Sequence, residues 1–175
     1  MKKTVNSTEQ FTPPMKYLHW ISAIVILWAS ITGLYIAFFE INPTIKSFIL
    51  NFNVSITVVF IPIFCYRIYV RLKHGVPDAH SDFSPLEKKL AHIGHTLLYI
   101  VISIVLISGV LMMDNNISVF HLFTLSPLIQ DLSITHFFEV LHLYTCRILA
   151  VLVTFHIIAL IKHELMGRRI LKKMI

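Results

Sequence analysis

Charge is scarce in this chain. Only 14% of its 175 residues are Asp, Glu, Lys or Arg, and the acids number nine. That excludes an ordinary soluble domain, where roughly a quarter of residues are charged. Cysteine is nearly missing too. Cys65 and Cys146 fall on different apolar stretches at depths about 10 Å apart on the helical rise, too far for a disulfide, so both read as small core residues. No internal repeat, low-complexity tract or polar second domain interrupts the sequence, and 1–175 reads as a single membrane domain. A secretory signal is not expected. The first apolar run follows Pro13 and Pro14, is longer than a signal core and lacks a small-residue cleavage pattern.

What is abundant is apolar surface: 56% of residues are hydrophobic and the mean hydropathy is +0.75. Four stretches, about 17–39, 48–72, 90–113 and 136–165, reach the roughly 20 residues that a hydrocarbon core about 30 Å thick requires. The fold class that follows is all-α, a bundle of four transmembrane helices. Lys2, Lys3, Lys16, Arg71, Lys73, Lys88, Lys89, Lys162, Arg168, Arg169, Lys172 and Lys173 fall on one side of it. The opposite loops carry only Lys46, and 114–135 has no lysine or arginine. The positive-inside rule then makes both termini cytoplasmic. The net charge of +6 is a topological signal that also attracts anionic lipid, and it gives no support to nucleic-acid binding. Pro62 is expected to bend the second span. Trp20, Trp28, Tyr35 and Tyr69 read as packing and interfacial anchors. The loop 114–135, with Phe120, Phe123, Leu125 and Leu128, is expected to fold back onto the membrane surface.

Against this background the histidines stand out. His142 and His156 lie fourteen residues apart on the fourth span, about 40° short of four turns and about 21 Å along the axis, so one helix face offers imidazoles at two depths. Coordinating side chains inside a bilayer are read first as functional, and two stacked haems are what such a face presents itself to. His19 enters the first span at the depth of His156, and an imidazole from each of two helices is the usual axial pair of a low-spin b-type haem. A polar pair holding two helices together is the plainer reading of the same residues. His142 belongs to the outer leaflet, where the second span offers Asn53 in place of a histidine; His136 shares a helix with His142 and cannot reach across a haem plane. His74, His80 and His121 fall in loops and read as solvated. Arg67, inside the second span, suits a haem propionate better than lipid, and Arg147 offers the same from the other side. Gly33 and Gly109, each fourteen residues beyond His19 and His95, are expected to clear space for an outer haem.

Taken together, YLHW at the first span, CYRIYVRLKHGVPD closing the second, KLAHIGHTLLY opening the third, GVLMM ending it and the His142, His156, His163 series resemble the bacterial cytochrome b561 family over nearly the whole chain. The family's members are small four-helix, di-haem b proteins of the bacterial cytoplasmic (inner) membrane. The resemblance places their four axial ligands to haem iron on His19, Asn53, His142 and His156, so three positions match. It also places Leu149 where a glycine is usual and Arg147 where an uncharged residue is expected. It associates the region of His92, His95 and His163 with haem propionates and with ubiquinone or a related quinone, a use that histidines near a membrane surface suit.

The function expected is therefore that of a haem b-containing membrane electron-transfer protein with one or two haems, serving the quinone pool. The resemblance adds superoxide as a possible electron source, which would make the chain an oxidoreductase, although the route from the outer face runs through the altered Asn53 site. That site has two readings: no haem, or haem held by His142 alone with an open iron position. The alternatives are a cytochrome b anchor for a periplasmic dehydrogenase, which needs a redox partner at the outer face, and a haem-free metal carrier or assembly factor. Against the latter, intramembrane carboxylates are nearly absent, Glu139 excepted, and the histidines gather at opposite ends of the bundle.

Overall fold

A computed structural model describes residues 11–75 and 83–174. Lys2, Lys3, His80 and the Val76-Pro77-Asp78 end of the second-span motif lie outside the described residues. Four long helices, α1 (Pro13–Phe38), α2 (Pro43–His74), α3 (Pro85–Leu111) and α4 (Leu132–Leu165), are joined by a small β-ribbon between α3 and α4 and followed by a short α5 (Ile170–Met174). All four are long and apolar enough to cross a membrane. The chain is thus mostly helical, as its composition predicts.

Three of the helices, α2, α3 and α4, begin earlier than the apolar runs because polar caps start them. Asn42 accepts the Thr44 N–H at 2.9 Å, and Asp131 accepts from Ser133 N at 2.8 Å and Ile134 N at 3.3 Å. At α3 a capping box joins Ser84 and Glu87 reciprocally, satisfying two donors that a helix start otherwise leaves unpaired. Proline occupies the first turn of α1, α2 and α3, where its missing N–H costs nothing. Gly75, at φ 72°, takes the left-handed position that ends α2. Within α2 the helix runs through Pro62 without a break.

Successive helices alternate in direction. One end of the bundle, the termini end, therefore collects the starts of α1 and α3 and the finishes of α2 and α4; the β-ribbon marks the other, the hairpin end. Packing is uneven. α1 lies closely on α2 and α3 on α4, whereas the two pairs meet only sparsely, α1 with α4 and α2 with α3. What closes the seam at mid-height is a core of Val25, Phe60, Phe64, Ile102 and Leu149, drawn from all four helices. Outward-facing positions such as Ile24, Ile31, Val151 and Ile158 are exposed, which suits hydrocarbon as solvent.

The outer-loop sequence forms more than a surface flap. Strands β1 (Ile117–Val119) and β2 (Phe123–Leu125) pair antiparallel with Val119 opposite Phe123. Leu122 N–H donates to Val119 O at 2.9 Å, and the two residues between, Phe120 and His121, have φ of 48° and 59°, the mirror-image turn that suits a hairpin. Neither is glycine, so each costs about 1–2 kcal/mol. Anchorage to α2 offsets this: Ser55 Oγ accepts the Phe120 N–H at 3.1 Å and donates to Ser118 O at 3.4 Å. Phe52 meets the Phe120 ring edge-on at 5.8 Å, and Val119 is 0% exposed. Ser55→Ala is expected to lower stability by about 1–3 kcal/mol, the cost of stranding a backbone donor, and a thermal melt in detergent reads this directly. An unchanged melt would show that the hairpin is not tied through Ser55.

Candidate functional site

Four helices bring their polar residues together at the termini end. Position 19 of α1, 67 of α2, 95 and 99 of α3 and 156 of α4 share one level because the helices alternate in direction. Arg67 Nη2 donates to His19 Nδ1 at 3.1 Å, and its Nε donates to Tyr99 Oη at 3.0 Å. The guanidinium carbons of Arg67 and Arg71 lie 5.2 and 4.4 Å from the centre of the Tyr99 ring, a cation–π arrangement that helps hold two cations side by side. Tyr99 is stacked in turn on Phe64 of the core at 5.7 Å. Across the bundle, the His95 and His156 rings meet edge to face at 5.3 Å. His19 lies within electrostatic reach of both. All three imidazoles are partly buried.

Arg67 cannot accept a hydrogen bond. His19 Nδ1 must therefore be the acceptor, which leaves the ring proton of the neutral imidazole on Nε2.

His163 is not part of this group. Its ring lies on Phe83 at 4.8 Å, and its Nδ1 accepts from Arg168 Nη1 at 3.1 Å, while Arg168 also pairs with Glu87 at 2.8 Å. It belongs to a polar rim at the very end of the bundle. His92 is exposed on α3. Between α2 and α3 runs a groove of about 200 Å³ lined by Ile68, Leu72 and Ile100 with the polar groups of Arg71, Thr96 and Tyr99.

The hairpin end is organised differently. His142 Nδ1 faces Val105 O at 3.1 Å and Ser108 Oγ at 3.2 Å. Ser108 gives its own proton to Ile104 O at 2.7 Å, so the imidazole is the donor and carries its proton on Nδ1. The other nitrogen, Nε2, faces Cys146 Sγ at 3.4 Å on the next turn of the same helix. Gly109 admits the ring: a Cβ there would lie 3.1 Å from His142 Cε1. Gly109→Ala is expected to push the imidazole off Val105 and to cost about 1–3 kcal/mol, as overpacking of a filled site does. A melt unchanged in that variant would mean that the imidazole has room to give.

Asn53 faces the other way. Its Oδ1 accepts from Trp28 Nε1 at 2.9 Å, and its Nδ2 donates to Thr32 Oγ1 at 2.9 Å, both on α1. The two residues that sequence places at the outer site are thus each bonded within their own helix pair. Arg147 is exposed on α4 beneath its own Tyr144 ring, about two and a half turns from His156 and on the opposite face of the helix, and takes no part in either group. Beyond His142, the hairpin end opens into a cavity of about 440 Å³ lined by Met112, Met113, Asp114, Thr135, His136 and Glu139.

Sequence reading matched His19 with His156 in depth, put Arg67 inside the second span and grouped His95 with His92 and His163; the structure sets Arg67 against His19 and His95 against His156, and leaves His92 and His163 apart. Sequence reading missed Tyr99, which stands one turn beyond His95 on the same face; a hydroxyl at that spacing inside an apolar run is the signal that could have found it. Cys146 was read as inert packing, although its spacing of four from His142 puts the thiol against the ring. Among the described residues, no three His, Cys, Asp or Glu side chains gather in a way that could hold a bare metal ion.

No curated protein matches the chain. The family model described as prokaryotic cytochrome b561 matches residues 10–175, which is every described residue. Four membrane-crossing helices with paired imidazoles at one level, and a family match over nearly the full length, lead to one conclusion: the chain is a multi-pass membrane protein of the prokaryotic cytochrome b561 family, a family of haem b electron carriers.

Proposed function

We propose that this protein holds a haem b between His19 and His156 at the termini end and passes single electrons to ubiquinone or a related quinone. The observation that carries this reading is the gathering of imidazoles at one level beside the sparsely packed seam between the helix pairs, His19 of α1 bonded to the Arg67 guanidinium and His156 of α4 against His95. A porphyrin needs that combination: two neutral nitrogens from opposite sides, little backbone between them, and a cation for its carboxylates. Bound there, haem b supplies a one-electron couple whose iron has no position open to substrate.

The residues have distinct tasks. His19 can offer Nε2 to a metal only once its proton sits on Nδ1. Arg67 must then give up Nδ1, and a propionate carboxylate is the partner that suits its freed donors. His95, in edge contact with His156, fixes the orientation of that ring. Tyr99 links the cluster to the α2–α3 groove, whose apolar walls, phenol, threonine and arginine match a quinone ring with two carbonyls. Two electrons delivered one at a time, with two protons taken from water at this end, convert the quinone to quinol. His163 and His92, near the aqueous rim, are suited to pass those protons. Superoxide fits the stoichiometry of the donor, since each loses one electron to become dioxygen, and the Arg67–Arg71 pair favours an anion. The basic residues gathered at the termini end support a cytoplasmic position for it in a bacterial inner membrane.

Chemically reduced protein, freed of reductant under anaerobic conditions, is expected to show a b-type reduced spectrum and to be reoxidised by short-chain ubiquinone, one quinol forming for every two haems oxidised. A well-folded preparation from haem-replete cells without a Soret band would refute the reading. Reduced haem that persists in excess quinone would remove the acceptor.

A further inference from the structure

The hairpin end of the bundle is the place to ask whether a second haem fits. A porphyrin there would need a ligand nitrogen with a free lone pair, a second ligand on the opposite side, and flat helix surfaces between them. None of the three is present. The one lone pair on His142 is Nε2, and Cys146 Sγ lies 3.4 Å from it, on the approach that an iron atom would need. The group at the second-ligand position, Asn53, is an amide held by hydrogen bonds to Trp28 and Thr32. Turning it away would leave the Trp28 indole N–H without its partner, at about 1–3 kcal/mol, while the Thr32 hydroxyl would keep its bond to Trp28 O at 2.7 Å. The space that Gly109 might have cleared is filled by the His142 ring itself. On the same face of α4, about two turns from His142, Leu149 fills the seam as part of the core and is 5% exposed. The β-ribbon, with Val119 fully buried and Ser55 tying it to α2, covers the same end.

We infer that this chain carries a single haem, at the termini end, and that at the hairpin end each helix pair is hydrogen-bonded within itself, with His142 a structural residue that does not line the cavity of about 440 Å³ beyond it. The inference rests on the function proposed above. Its consequence is directional: with about 21 Å of helix between the levels of His142 and His156 and no second haem to divide that distance, electrons enter and leave at the termini end. The electron donor must then approach the same end as the quinone, and a partner docked at the hairpin end is not part of the route.

The test is haem stoichiometry on the purified full-length protein, by pyridine haemochrome against protein concentration, with ferric electron paramagnetic resonance for the ligand field. One haem per chain, wholly low-spin, is expected. His142→Gln keeps an N–H for Val105 O, and it should leave both the stoichiometry and the resonance unchanged, whereas His156→Ala should abolish the signal. Two haems per chain overturn the inference and leave the proposed function standing. So does a high-spin species that disappears in His142→Gln, because it would be a five-coordinate haem on that residue. One haem that survives His156→Ala but not His142→Gln places the cofactor at the wrong end and overturns the inference as well. No haem at all in the wild type brings down the proposed function and this inference together. Should His142→Gln fail to accumulate, the wild-type stoichiometry and spin state decide the matter alone.

Discussion

His156→Ala is expected to release the haem, leaving less than a tenth of the wild-type Soret absorbance in protein that still reaches the membrane. On the proposed assignment, alanine removes one of the two nitrogens that hold the iron. Disturbing only a residue that supports a metal ligand already costs about 10–100-fold in affinity, so deleting the ligand should cost at least 100-fold. The neighbouring His95 ring, 5.3 Å away centre to centre, lies on α3 and enters from a different direction, so any residual haem in the variant should show an altered spin state. His19→Ala should behave similarly, with one difference. His19 is half of a hydrogen bond to Arg67, and its loss leaves a guanidinium with an unmet donor in the apolar interior, which should lower folding stability more than His156→Ala does. A wild-type spectrum in either variant would show that the ligand assignment is wrong.

Arg67→Gln is expected to produce the second large effect, of a different kind. The haem should stay, because both imidazoles remain, while quinone reduction should fall about 10–100-fold. That factor follows from the loss of a charge-assisted hydrogen bond, about 1.5–3 kcal/mol, between Arg67 Nε and Tyr99 Oη. The reduction potential should also drop, since removing a cation near the iron disfavours the added electron. Tyr99→Phe keeps the cation and should impair quinone reduction with little change in potential. Stopped-flow reoxidation beside a spectroelectrochemical titration separates the two. If Arg67→Gln reduced quinone at the wild-type rate, Tyr99 would not be the link between the groove and the cluster.

The spans were legible because apolar runs of this length have few other uses, and the caps at Asn42, Ser84 and Asp131 explain why the helices outrun them. Depth was legible too. Helical rise matches His19 with His156 in depth, and the structure sets them at one end of the bundle against Arg67 and His95. What spacing cannot give is the occupant of a face. Gly109 stands at the depth and angle that periodicity assigns, yet the room it makes is taken by His142. The direction of the Asn53 amide depends on Trp28 and Thr32 of another helix, and no local pattern in α2 announces it. Likewise the β-ribbon rests on Ser55, more than sixty residues away in sequence, while its strands are three residues each, too short for alternation to be read.

The uneven packing of the bundle also bears on how it is made. Each close helix pair, α1 with α2 and α3 with α4, is a self-contained unit that can leave the translocation channel and settle in lipid before its counterpart has been synthesised. Joining the units then becomes a late event. A pigment held from both sides, as proposed here, would act as the rivet of that final step, and haem supply would then set the yield of mature protein as well as its colour.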